Sequence, residues 1–117
     1  MSYMLLIVEP PEQRLARTNA EGREAYARMQ AFGEDLKRRG LLVAVESLKS
    51  QADGARVSVR NGRPQIIDGP FAEAKEMVGG FFIVDCATRE EAVAIATECP
   101  AAQWCTVEVR ALAPCYE

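Results

Sequence analysis

The sequence predicts an α+β fold: an antiparallel sheet with two helices on one face and one inserted β-hairpin. Two segments with helical periodicity each lie between strand-like runs, giving the order β-α-β, hairpin, β-α-β. Both helical segments open on a capping-box spacing, and an Asn-Gly pair separates two short alternating runs. Without the hairpin this order is the ferredoxin-like βαββαβ arrangement. A chain of 117 residues suffices for one core, so residues 1–117 are expected to form a single domain.

Tyr3–Val8 is a continuous apolar run and reads as a buried strand, broken by Pro10-Pro11, which cannot continue a ladder. Thr18-Asn19-Ala20-Glu21 then starts a helix in which Ala25, Met29, Phe32 and Leu36 recur on one face, flanked by Tyr26 and Gly33. Lys37, Arg38 and Arg39 suit the negative end of its dipole, and Gly40 supplies a left-handed terminator. Leu41–Leu48 follows as a strand. Arg56–Arg60 alternates, Asn61-Gly62 makes a hairpin turn, and Pro64–Asp68 returns. Phe71–Glu76 reads as one helical turn or a tight loop, and Gly79–Asp85 as a strand rich in aromatic and branched residues. Thr88-Arg89-Glu90-Glu91 repeats the capping box for a second helix, whose buried stripe is Ala92, Ile95, Ala96 and Cys99. Pro100 ends it, and Trp104–Leu112 is the final strand.

Composition excludes several function classes. With 17 acidic against 14 basic residues the net charge is -3, so no global positive field draws nucleic acid or an anionic membrane. The amino-terminal apolar run is too short to span a bilayer and has no basic segment before it or cleavage signal after it; a cytoplasmic location is expected. The four cysteines at 86, 99, 105 and 115 form no Cys-x-x-Cys pair or zinc-ligand spacing, and read as reduced structural thiols. No metal or other cofactor is expected. The chain has no histidine, which removes imidazole acid–base chemistry, Ser-His and Cys-His pairs and proximal haem ligation.

The densest chemistry lies in Asp68-Gly69-Pro70-Phe71, followed by Glu73, Lys75, Glu76 and then Gly79-Gly80. With the Tyr3-Met4-Leu5-Leu6 opening and the Val107-Glu108-Val109-Arg110 close, this string resembles the YCII-related family in its DGPF-domain branch, over nearly the whole chain. The resemblance implies a dimeric α/β barrel, in which two sheets close around a central space. It also implies a link to extracytoplasmic-function sigma factors, with which some DGPF-family members are associated. A histidine–aspartate reactive centre proposed for the YCII branch does not carry over, because the histidine is missing.

Two roles are open to Asp68: a turn cap accepting backbone amide bonds, or a cleft carboxylate acting as proton acceptor. Glu73 and Glu76 share a face if their segment is helical, and Lys75 can pair with them or with an anionic ligand. They are equally readable as a solvated charged turn. Asp68, Glu73 and Glu76 are thus the candidate catalytic residues. Lys75, Gly79 and Gly80 are the candidate substrate-binding group, the glycines leaving room for a ligand or another backbone. On the last strand Trp104, Thr106, Glu108 and Arg110 share a face, and the Glu108–Arg110 end either lines a central space or keeps an edge soluble.

Two helices cover only one sheet face, yet Tyr3–Val8 and Gly79–Val84 are apolar on both, so a homodimer through the free face is expected. The leading functional expectation is a small-molecule binder or acid–base enzyme with its pocket at the Asp-Gly-Pro-Phe loop. The alternative is a non-catalytic dimeric regulatory or interaction module, linked to sigma-factor signalling through the resemblance. Whether the chain is an enzyme stays open at this point.

Overall fold

The computed structural model describes residues 1–117 as a mixed α+β fold with two antiparallel sheets and three helices. The main sheet runs β2 (Leu42–Ser47), β5 (Met77–Asp85), β1 (Ser2–Glu9), β6 (Thr106–Ala111), every neighbour antiparallel. The strands β3 (Ala55–Arg60) and β4 (Arg63–Asp68) pair only with each other. Asn61 and Gly62 turn that hairpin with φ of 51° and 74°, the left-handed pair that a two-residue turn demands.

The long helix α2 (Asn19–Arg38) begins and ends as its sequence dictates. Thr18 Oγ1 accepts from the Glu21 amide at 3.1 Å, and the Glu21 carboxylate accepts from the Thr18 amide at 2.9 Å. At the far end Gly40 takes φ 72°, while the Gly40 and Leu41 amides donate back to Lys37 and Leu36. In helix α3 (Arg89–Glu98) the Thr88 hydroxyl caps Glu91, but the Glu91 carboxylate reaches Ala87 rather than closing the box on Thr88.

The core is one layer between the sheet and these two helices. Tyr3, Leu5 and Ile7 alternate inward on β1 beside Phe82 and Val84 of β5. Phe32 and Leu36 of α2 and Ala92, Ile95 and Ala96 of α3 pack onto them. Phe32 meets Phe82 edge-to-face at 5.1 Å, and a Cβ on Gly33 would lie 3.4 Å from that same ring. Contact this close is confined to the second half of α2: its buried residues are Phe32, Gly33 and Leu36 alone. Ala25 and Met29, expected in the buried stripe, are only half-buried because the first half of the helix stands off the sheet.

Three expectations change. A short helix α1 (Pro11–Ala16) follows the first strand, with Pro11 at its first position, where a proline's missing N–H costs nothing. Pro100 ends α3 but also opens a 3-10 turn, Pro100–Gln103. Trp104 therefore precedes β6 and shares no strand face with Thr106, Glu108 and Arg110. No helix is long and apolar enough to cross a membrane.

Candidate functional site

Parity along β1 puts Glu9 on the same inward face as Tyr3, Leu5 and Ile7, and it is 4% exposed. A carboxylate there needs a cation, and α1 supplies one: Arg14 Nε lies 2.5 Å from Glu9 Oε1. The contact is a close charge pair, and it occupies the one Glu9 oxygen that is closed to solvent. Arg14 also donates to the carbonyls of Leu48 at 2.8 Å and Gly79 at 3.1 Å, tying α1 to the ends of β2 and β5. Gln13 on the same helix donates to the Trp104 carbonyl at 2.6 Å, leaving its own buried Oε1 without a partner.

Gly79 is required by this pair. A Cβ there would lie 2.7 Å from Arg14 Nη2 and 2.8 Å from the Glu9 carboxylate. Gly80 answers to something else: its Cβ would lie 2.7 Å from the Glu46 carbonyl of the neighbouring strand.

Glu9 and Arg14 form the polar end of a cleft of about 900 Å³ between the lifted half of α2 and the sheet. Its apolar lining comes from Ile7, Leu42, Val45, Phe82 and, on the helix side, Tyr26 and Met29. Tyr26 and Val45 are 52% and 42% exposed, and both face this space rather than open surface. Trp104 closes one wall, with the guanidinium groups of Arg17 and Arg28 lying 5.5 and 5.1 Å from its ring. Polar side chains line it as well, among them Asn19, Gln30, Glu34 and Lys37 of α2, and a concave space of this volume is the usual size of a small-molecule site.

The residues singled out from sequence distribute differently. Gly79 and Gly80 line the large cleft. Asp68, Glu73, Lys75 and Glu76 are all exposed, in a segment that is a series of turns, so Glu73 and Glu76 do not share a helix face. Glu76 lines a separate cleft of about 520 Å³ with Arg56 and Phe71; the other three line neither. Glu108 and Arg110 lie on the sheet face away from the helices, 4.0 Å apart and exposed. The Asp68 carboxylate accepts no hydrogen bond, so the turn-cap role fails; the neighbouring residues hold the loop instead. A Cβ on Gly69 would fall 1.9 Å from the Gln51 carbonyl, the Gly69 amide donates to Gly54 at 2.8 Å, and the Gly69–Pro70 peptide is cis. Phe71 is buried beneath Arg56, whose guanidinium lies 4.0 Å from the ring centroid. The motif thus fastens the base of the hairpin.

No group of three or more cysteine, aspartate or glutamate side chains is arranged to hold a metal, and the four cysteines are unpaired. Burial raises the thiol pKa of Cys86 and Cys99, and that of Cys105 to about 11, where the Glu9 charge adds to it. At neutral pH these three are thiols rather than thiolate nucleophiles.

Glu9 and Arg14 escaped the sequence reading, although a signal existed. Counting alternate positions from Tyr3 lands on Glu9, and proline at the start of a helix followed by Glu12 marks α1. An uncharacterised protein of Rhizobium meliloti (strain 1021) is 30% identical over 115 residues, covering 97% of this chain and 93% of that protein. The model of the YCII-related domain matches residues 1–115, and the chain belongs to that family.

Proposed function

We propose that the chain is a small-molecule-binding protein whose ligand occupies the cleft between α2 and the sheet. The observation that carries this is a charge pair, Glu9–Arg14, with Glu9 4% exposed, in the wall of a cleft of about 900 Å³. A ligand hydroxyl or N–H that donates to the Glu9 carboxylate inside such a cleft makes a charge-assisted bond, about twice as strong as a neutral one. The apolar part of the wall, with Trp104 and Tyr26, suits an aromatic body, and Gln30, Glu34 and Lys37 of α2 suit polar substituents on it. Glu9 is also the group that would accept a ligand proton if binding leads to turnover; Asp68, Glu73 and Glu76 are too exposed to be the first choice.

In this reading the Asp-Gly-Pro-Phe string assigns the chain to the DGPF branch, and the strand order β2-β5-β1-β6 is that of a ferredoxin-like sheet. The face of the sheet opposite the helices carries Met4, Leu6, Val8, Phe81 and Ile83, which no element of the chain covers; a second protomer closes it into a dimeric barrel. Unpaired cysteines fit a reducing cytoplasm.

Trp104 is the chain's only tryptophan and stands in the cleft wall, so its emission reports occupancy. Titrating a panel of phenols, aminophenols and aromatic amides should yield compounds that shift this emission and raise the melting temperature. Glu9→Gln should weaken the best of them at least 10-fold, while Glu73→Gln and Lys75→Met leave it unchanged. A panel without any such compound, or equal affinity for Glu9→Gln, would overturn the assignment.

A further inference from the structure

Arg17 stands between two helices that fix its backbone. Its amide caps α1 by donating to the Arg14 carbonyl at 3.3 Å, and the next residue, Thr18, is the cap of α2. The side chain is half-buried, lines the cleft and lies over Trp104, with its guanidinium 5.5 Å from the ring centroid. It makes no ion pair and donates no hydrogen bond. The other charges of the cleft wall are offset or turned elsewhere. Glu9 is paired with Arg14. Glu34 and Lys37 are opposite in sign and one turn apart at the far end of α2. Glu46 is in register with Phe81, on the sheet face away from the helices. Arg17 is left as a cleft cation without an acceptor.

Its surroundings sharpen that state. The Arg28 guanidinium lies 5.1 Å from the same indole and donates only to Gln103, at 3.4 Å, so two cations share one ring and repel each other. Glu21 does not serve as the counter-ion. It lies outside the cleft, accepts from the Thr18 amide, and its pKa is held down chiefly by Thr18, with the Arg17 charge the smallest contribution. The same carboxylate occupies the positive end of α2, so the cation at this corner is Arg17 itself. A guanidinium held over a ring keeps the N–H groups in its own plane free, and their fork matches a carboxylate. Glu9 and Arg17 both act on the Cys105 thiol, in opposite directions, so both stand at the Trp104 end of the cleft.

We infer that the ligand of this cleft is an aromatic carboxylate that also carries a hydroxyl or amino group. Its ring lies against Trp104 and Tyr26, its carboxylate pairs with Arg17, and its hydroxyl or amino group donates to Glu9. A single uncompensated arginine suits a monoanion, and the Glu9 and Glu34 carboxylates in the same walls oppose a dianion such as a phosphate ester. The inference rests on the cleft reading above and adds an anionic end to the ligand.

Isothermal titration calorimetry at neutral pH tests it with matched probes: hydroxybenzoates and hydroxynaphthoates against their primary amides, which keep ring and hydroxyl and remove the charge. The best acid should bind the wild-type chain at least 10-fold tighter than its amide. Arg17→Met keeps the aliphatic stem and should bring the two affinities within threefold of each other, by weakening the acid. Its circular dichroism should stay native, because the guanidinium bonds to nothing in the chain. Arg17→Lys keeps the charge but not the planar fork, and should reduce the ratio at least threefold; it supplies the answer if the methionine variant loses its fold. Arg23→Met removes a charge from an exposed position of α2 outside the cleft and should leave the ratio unchanged. Amides that bind as tightly as their acids overturn the carboxylate and leave the cleft reading standing. A preference for the acid that survives in the Arg17 variants, or that falls equally in Arg23→Met, overturns the role of Arg17. Absence of binding by every acid, amide and phenol overturns the cleft reading and this inference together.

Discussion

Gly79 and Gly80 are adjacent, and each excludes a side chain for a different reason. At Gly79 a methyl group would meet the movable ends of Arg14 and Glu9, whereas at Gly80 it would meet the fixed Glu46 carbonyl. Gly79→Ala should therefore displace the ion pair, weakening cleft ligands at least 10-fold with a modest loss of stability. Gly80→Ala should force β2 from β5 and cost about 2 kcal/mol or more, measured by urea unfolding. Equal stability loss at both positions would contradict the distinction. Cys105 offers a second check at this scale. Its pKa is raised by burial to about 11 from 9.0, so the folded state holds the thiol proton more tightly than the unfolded chain does. The stabilisation is complete below pH 9 and is lost as pH rises toward 11. Melting temperature should fall across that window, and the fall should be shallower in Cys105→Ala. The sequence showed the two glycines and the Asp-Gly-Pro-Phe charges plainly, yet it joined them into one site. Only the register of β5 against β1 and α1 reveals that the glycines serve Glu9 and Arg14.

Elements were legible where a local signal determines them. Thr18 and Glu21 form their reciprocal cap, Gly40 terminates α2, and Asn61-Gly62 turns the hairpin, because each outcome depends on residues within a few positions. The lift of the first half of α2 was not legible. Its stripe continues through Ala25 and Met29, and periodicity does not report how far a helix stands from its sheet. The Asp-Gly-Pro-Phe loop was legible as a turn but not in its division of labour. Asp68 is exposed and accepts no bond, while Gly69 is pressed on the Gln51 carbonyl and Phe71 is buried. Asp68→Ala should accordingly change stability by less than about 0.5 kcal/mol, as for an ordinary surface site, and Gly69→Ala should cost several times that. Thermal unfolding of the two variants side by side gives the answer. A large loss at Asp68 would restore its carboxylate to a structural role.

At the scale of the whole molecule, the single chain is an incomplete solution to burying its own sheet. Helices α2 and α3 cover Tyr3, Leu5, Phe82 and Val84, and nothing in the chain covers Met4, Leu6 or Ile83 on the other side. An antiparallel sheet tolerates one wet face when that face is polar, and here only the flanks are, at Glu46, Glu108 and Arg110. Apolar centre and charged rim together are the anatomy of a protein interface. Folding and association should then be coupled, so that melting temperature rises with protein concentration between about 5 and 500 μM, as mass action requires when only the native state associates. Leu6→Glu/Ile83→Glu places two like charges at the centre of that face in each protomer. The variant should run at the monomer mass of 12.9 kDa by light scattering and lose the concentration dependence, with its helical signal retained at low temperature. If the wild-type melting temperature is independent of concentration and its mass is already that of the monomer, the open face is a tolerated surface and the barrel reading is wrong.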